Sequence, residues 1–393
     1  MLRREITSSI LFDLITDKLE PQQFLDLKQS EVNHILKVVT FGRSENLLLD
    51  WLIKNNLRDF LNHDDFKRLL KLSQLRALNN KKIFRDFELL SQVLNYKSIS
   101  FIPLKGLHIN MKKNGFKRNI RDIDILINKD DIRESIEVLL GEGYSFLESS
   151  LDYKNKNFIK DYSYDVPRIF SPSGTCIEIH HKIFNTNTCF LSEMMFANAK
   201  QFFFRGVEYK ISKSEDLFLH LIYHSTSKQG LDVGIQVFDD LIEIIGWEDF
   251  DAERVLDLSK KIGLKNEVDI FSRCMSNFSI ENKLTRTFVK DNIYDDKLLG
   301  EFIDLMIFNK SSSKALKFLS PNFIKNIKVA ISNDQNINES TNNILEFNLS
   351  RLKIFFFKFI NFLPIIFKLI FNKKYRKDNY RVLEVLRKIK DEK

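Results

Sequence analysis

Asp122 and Asp124 stand two residues apart in the run Arg121-Asp122-Ile123-Asp124-Ile125-Leu126-Ile127. In a strand, such residues project from one face while Ile123 and Ile125 project from the other. Aspartate is disfavoured in strands, and two carboxylates held side by side repel each other. A divalent cation between them removes that conflict. Mg2+ (or Mn2+) is a hard ion commonly held by one or two carboxylates together with phosphate oxygens and water. For an isolated Asp-x-Asp, two solvated residues at a frayed strand start would be the plainer reading. The surroundings favour the first. Upstream, Leu104-Lys105-Gly106 closes one apolar run and opens a helical pattern. Exposed amides at a helix N-terminus, beside a glycine that permits close approach, suit phosphate oxygens. Lys105 adds a cation, and Arg118 offers a two-pronged guanidinium fork.

The elements that must position these residues are legible from periodicity. Apolar residues recur at three- and four-residue spacing through residues 5–96, which predicts helices, the longest of them over 66–94. The β-branched and aromatic run at 98–104 predicts a buried strand. A helix over 106–114 should end at Gly115, and a second strand should cover 121–127. Residues 129–140 read as a helix closed by Gly141 and Gly143, whereas 144–170 carry no clear period. A turn at Ser171-Pro172-Ser173-Gly174 precedes a third strand, Thr175-Cys176-Ile177-Glu178-Ile179-His180. The pattern is helical again over 214–350.

Composition sets the outer limits. The chain has 393 residues, 44% hydrophobic and 29% charged, so it folds and has length for two or three domains. With 36 Phe but only 12 Gly and 6 Pro, turn formers are too scarce for a many-stranded sandwich. A formal charge of +8 suits an anionic partner without choosing among nucleotide, nucleic acid and lipid. Three cysteines, Cys176, Cys189 and Cys274, are too few and too scattered for a disulfide framework or a zinc site. The N-terminus lacks the apolar run of a signal peptide, so a cytoplasmic location is the expectation.

Taken together, Leu104-Lys105-Gly106, Arg118 and Asp122-Ile123-Asp124-Ile125-Leu126-Ile127 resemble the signature of a bacterial nucleotidyltransferase family of the polymerase-β-type superfamily. Ile177-Glu178-Ile179-His180-His181 is similar to that family's Glu-Leu-His strand. The segments from Glu215 to His224 and from Gly234 to Asp240 resemble its later helices, so the likeness spans roughly 98–245. The resemblance implies an α+β fold: a small mixed β-sheet core with helices packed on it, flanked by N-terminal and C-terminal helical regions. The expected divisions are 1–96, the core at 97–210, a helical domain at 211–350 and a tail at 351–393. It further implies that Asp122 and Asp124 are the metal pair and Glu178 a third carboxylate, which binds metal or takes the acceptor's proton. Lys105-Gly106 stands where most of the superfamily has Gly-Ser in its phosphate turn.

His180 lies two residues from Glu178 and so shares its face, which makes it a candidate site residue alongside Lys105, Gly106 and Arg118. His220 and His224, four apart in a helical pattern, share a face and could bind metal, although packing is the plainer reading. Asp240 could brace the site. The tail run at 353–371 is intensely apolar but broken by lysines and a proline, too short for the roughly 20 residues that span a bilayer. With the basic residues that follow, 351–377 suits either the protein's own core or a peripheral contact at the inner membrane face. Nucleic acid is the weaker partner for a segment so rich in Phe, Ile and Leu.

The expected activity is metal-dependent transfer of a nucleoside monophosphate from a nucleoside triphosphate to an acceptor hydroxyl on a glycan, lipid-linked sugar or peptide. The rivals are a nucleotide-sensing or scaffold protein of an envelope or polysaccharide assembly system, and a phosphotransferase on the same fold.

Overall fold

Alternation in two short strands organises the fold. In β2 (Ile123–Ile127), Ile123, Ile125 and Ile127 join one apolar cluster, while Leu126 joins another on the opposite face of the sheet. In β5 (Cys176–His180), Ile177 and Ile179 join the first cluster as well. Asp124, Glu178 and His180 are the residues left for the second face. The computed structural model describes residues 2–113, 115, 118–147, 166–184, 190–228, 234–278, 280–288 and 296–308, with 384, 385 and 388.

The expected α+β architecture is present. A five-stranded mixed sheet has the order β1-β2-β5-β4-β3, with β1 (Phe101–Pro103), β3 (Ser145–Phe146) and β4 (Ile169–Phe170) completing it. β1 pairs antiparallel with β2, β2 parallel with β5, and β5 antiparallel with β4. The parallel pair sets the register that matters: Asp124 lies opposite Glu178, and Leu126 opposite His180.

Helices cover the apolar face. Ahead of them in the chain, four helices, α1 (Leu2–Ile15), α2 (Pro21–Leu25), α3 (Gln29–Phe41) and α4 (Glu45–Lys54), precede the long α5 (His63–Tyr96). Asn62 caps α5 by accepting from the Asp65 amide at 2.8 Å, and Asp64 and Asp65 suit the positive end of its dipole. Ile83, Phe84, Phe87, Leu90 and Leu94 of α5 pack on the sheet isoleucines, together with Leu107 and Met111 of α6 (Lys105–Lys112). Ile132, Ile136 and Leu139 of α7 (Ile132–Gly141) complete the layer. The opposite face receives Leu191 and Met195 of α8 (Phe190–Ala197).

A hairpin of β6 (Lys200–Phe204) and β7 (Val207–Ile211) was not anticipated from the sequence. Its Phe204 and Tyr209 lie against Phe84 and Phe87, and Val207, Tyr209 and Ile211 alternate along β7 toward that core while Glu208 and Lys210 face away. Further on come α9 (Ser214–Tyr223), α10 (Gln236–Ile245), α11 (Ala252–Ile262), α12 (Lys265–Asn277) and α13 (Lys283–Phe288). Phe12 of α1 stacks on Phe278 at 3.8 Å and meets Phe238 of α10 edge-on at 4.9 Å, tying the first helix to these later ones.

The chain divides into two compact units, Met1–Tyr223 with Gly234–Asn292, and His224–Val233 with Ile293–Lys393. The sheet and α1 to α13 belong to the first. The second includes a π-helical turn, His224–Lys228, and α14 (Asp296–Phe308). The tail segment 351–377 lies outside the described residues. Among the described residues no helix is long and apolar enough to cross a membrane.

Candidate functional site

The lead-in to β2 is fixed by amide side chains. Asn110 of α6 accepts from the Arg118 amide at 3.1 Å and donates to the Arg118 carbonyl at 2.8 Å. Asn80 of α5 donates to that same carbonyl at 2.9 Å and accepts from the Ile120 amide at 3.1 Å. Asn79 donates to the Ile120 carbonyl at 3.2 Å, and Gln236 of α10 to the Asn119 carbonyl, also at 3.2 Å. A loop with so many of its polar groups satisfied by three helices holds Asp122 where the strand begins. The start of β5 is held in a similar way. Asp86 of α5 accepts from Ser171 at 3.1 Å and also from Ser173 and Thr175, anchoring the turn before Cys176.

The Asp124 carboxylate is the hub. Its Oδ1 accepts from the Lys105 ammonium and lies 2.9 Å from His180 Nε2, where the shared hydrogen belongs to the ring because a carboxylate can only accept. Glu178 Oε2 lies 3.9 Å from Lys105 Nζ and 3.9 Å from His180 Nε2. Ligand atoms of Asp124, Glu178 and His180 all fall within 4.8 Å of one another. All three residues are buried, and so is Lys105, whereas Asp122 is partly buried. Lys105 takes a left-handed backbone conformation, φ +49°, that residues other than glycine rarely adopt. The helix start is thus bent so that the side chain turns into the carboxylates.

Charge placement follows from this crowding. Burial alone would raise the Asp124 carboxyl, but the Lys105 ammonium and the His180 hydrogen bond outweigh it and hold it well below the usual carboxylate range. Asp122 goes the other way: burial, and then the negative charge of Asp124, push it up to about 6. Two neighbouring carboxylates with such divergent proton affinities mark a site short of positive charge.

Arg118 does not reach outward. Its Nε donates to Asp240 Oδ1 at 2.7 Å, and burial's penalty on the guanidinium is more than offset by the Asp240 charge. Its side chain also lies against Gly106, where an added Cβ would come within 1.7 Å of Arg118 Nη1. Glycine is therefore required at 106 for the close approach of this arginine, and Asp240 braces the loop that leads to Asp122. His220 of α9 lies with its ring centroid 6.4 Å from that of His180, T-shaped, while His224 opens the π-helical turn beyond α9.

One neighbour was missed. Arg168 donates from Nε and Nη2 to Glu178 Oε1 at 2.9 and 2.7 Å, a forked pair with an exposed guanidinium. It falls in the stretch without clear period, and its only local signal is its place beside the β4 strand that precedes the turn into β5.

Cation chemistry fits the donors. Two carboxylates and an imidazole converging within one coordination sphere suit a divalent ion, and the described residues contain no other group of three such side chains. The chain belongs to the nucleotidyltransferase family described as "Uncharacterised nucleotidyltransferase", whose model matches residues 28–278. That match begins at α3 and runs through α12, so it takes in α3 to α5 ahead of the sheet and leaves α1 and α2 outside it. No curated protein matches the chain.

Proposed function

We propose that the chain transfers a nucleoside monophosphate from a nucleoside triphosphate to an acceptor hydroxyl, with Asp124, Glu178, Asp122 and His180 as the metal-facing set. The observation that carries this reading is the parallel register of β2 and β5, which puts Asp124 opposite Glu178 with His180 two pairs further along, on the same face. When bound there, Mg2+ or Mn2+ supplies charge neutralisation on the phosphate oxygens and a fixed geometry for in-line displacement.

The chain's own groups divide the remaining work. Lys105, at the start of α6, neutralises Asp124 and would pair with a phosphate oxygen presented to that carboxylate. The dipole of α6, positive at its N-terminus, favours the same phosphates. His180 holds Asp124 through Nε2 and so fixes the orientation of that carboxylate. Glu178 has Oε1 committed to Arg168, and its Oε2 faces the cluster, where it would accept the proton of the attacking hydroxyl. The acceptor oxygen bonds to the α-phosphorus, the bond to the β-phosphate oxygen breaks, and pyrophosphate leaves with its negative charge. A glycan, lipid-linked sugar or peptide hydroxyl is the proposed acceptor class, and α3 to α5 are proposed to help recognise the substrate.

The test needs no acceptor at first. Calorimetry of each nucleoside triphosphate with Mn2+ or Mg2+ should show metal-dependent binding that Asp122→Ala/Asp124→Ala abolishes. Label carried from the α-phosphate into an acceptor supports this reading. Transfer of γ-label would make the chain a phosphotransferase, and no triphosphate binding by a folded chain would make it a scaffold.

A further inference from the structure

Arg168 has donors to spare. In the antiparallel pair of β4 and β5, Ile169 lies opposite Ile177 and Phe170 opposite Cys176. The next step of that register sets Arg168 opposite Glu178, and residues opposite one another across an antiparallel pair share a face of the sheet. The contact follows from the register: Nε and Nη2 of Arg168 both donate to Glu178 Oε1, at 2.9 and 2.7 Å. A guanidinium can donate from all three of its nitrogens, and Nη1 has no partner among the described residues.

Exposure separates Arg168 from the groups around it. Its side chain is 62% exposed, against 10% for Glu178, 11% for Lys105, 6% for Asp124 and 3% for His180. Lys105 is turned in to Asp124, and Arg118 to Asp240. Of these three cations Arg168 is the one that faces both a site carboxylate and solvent. Glu178 is shared in consequence: Oε1 carries the guanidinium, while Oε2 lies on the cluster side, 3.9 Å from Lys105 Nζ and 3.9 Å from His180 Nε2. A polyphosphate drawn to this cluster meets Asp122, Asp124 and Glu178, all of its own sign, and a cation at the exposed edge offsets that repulsion. A planar guanidinium can hold a carboxylate with one side and a phosphate with another, which an ammonium cannot do in fixed geometry.

We propose that Arg168 is a phosphate-binding residue: it keeps Nε and Nη2 on Glu178 and donates from Nη1 to a non-bridging oxygen of the substrate's triphosphate. That the phosphates belong to a nucleotide rests on the nucleotidyl-transfer reading, whereas the contact itself is testable with polyphosphate alone. The residue then does two things at once, holding Glu178 Oε1 away from the cluster and drawing the triphosphate over Oε2.

Calorimetry of inorganic tripolyphosphate with Mg2+ would compare the full-length wild type, Arg168→Gln and Arg168→Lys, while electron paramagnetic resonance follows Mn2+ binding in separate samples without phosphate. Loss of one charge-assisted contact in Arg168→Gln should weaken tripolyphosphate at least about tenfold and leave Mn2+ affinity undiminished. Arg168→Lys keeps the charge but not the fork, should fall between the two, and carries the test if the glutamine variant fails to fold. Equal tripolyphosphate affinity in a folded Arg168→Gln variant overturns the proposal, as does a wild type that binds no tripolyphosphate. A fall in Mn2+ affinity matching the fall for tripolyphosphate also overturns it, because Arg168 would then act only by orienting Glu178. The two readings fail separately. Transfer of α-label by a wild type whose tripolyphosphate affinity does not depend on Arg168 leaves nucleotidyl transfer standing without this contact. Dependence on Arg168 in a chain that transfers γ-label, or none, keeps the contact and removes nucleotidyl transfer.

Discussion

The two faces of β2 and β5 are made by the same alternation yet obey opposite rules. On one face Ile123, Ile125, Ile127, Ile177 and Ile179 are buried against α5, α6 and α7, where each methylene removed from water stabilises the fold. On the other, Asp124, Glu178 and His180 are also buried, but there burial opposes folding unless charges are matched. Lys105 and Arg168 provide that match from outside the two strands. The first face therefore tolerates volume-conserving change, and the second tolerates little change in charge. Stability and activity should separate along this line.

Asp124→Asn tests the separation most severely. It keeps the shape of the hub but removes the charge that Lys105 and His180 share, and transfer of α-label should fall on the order of a thousandfold. Retained activity, measured with the chain still folded by circular dichroism, would end the metal-site reading. Asp240→Ala comes next, because it strands the Arg118 guanidinium without its partner. Denaturant unfolding should report a loss of about 3–5 kcal/mol. A loss well below that would mean Arg118 re-pairs or reaches water, and the bracing of the Asp122 loop would need another source.

Ile125→Ala acts on the apolar face alone. It should lower stability by about 3 kcal/mol while activity per folded molecule stays close to wild type. A matching fall in activity would show that the two faces are coupled through the strand. The smallest effect is a pH dependence. Burial, and then the Asp240 charge, raise Asp239 from 3.8 to about 7, so the native state holds a proton there that the unfolded chain releases near pH 4. Its contribution to stability is complete below about pH 4 and is lost as pH rises through about 7. Thermal melts of Asp239→Asn should show a flatter pH profile than wild type across that window.

Much of the site could be read before the fold was known, and the parts that could not are instructive. Asp122, Asp124, Lys105 and Gly106 lie within a short stretch whose strand, turn and helix signals are local, and those elements formed there, although β2 begins only at Ile123 and leaves Asp122 just ahead of the strand that 121–127 was expected to form. Arg118 was expected to face a phosphate. Its Nε instead donates to Asp240, a partner far along the chain that no local pattern identifies. Arg168 carried no motif at all, sitting beside a two-residue strand.

The sequence by itself determined which side chains share a face, because alternation in a strand is a property of the backbone and needs no neighbour. Only the tertiary structure decided which faces meet. The parallel pairing that sets Glu178 against Asp124 and the bent start of α6 that turns Lys105 inward both depend on contacts between distant segments. So does the hydrogen bond that the Asn119 side chain donates to the Arg43 carbonyl. Such contacts are selected by the summed packing of the core, and the free energy that fixes them is spread over many residues with no single motif to reveal it.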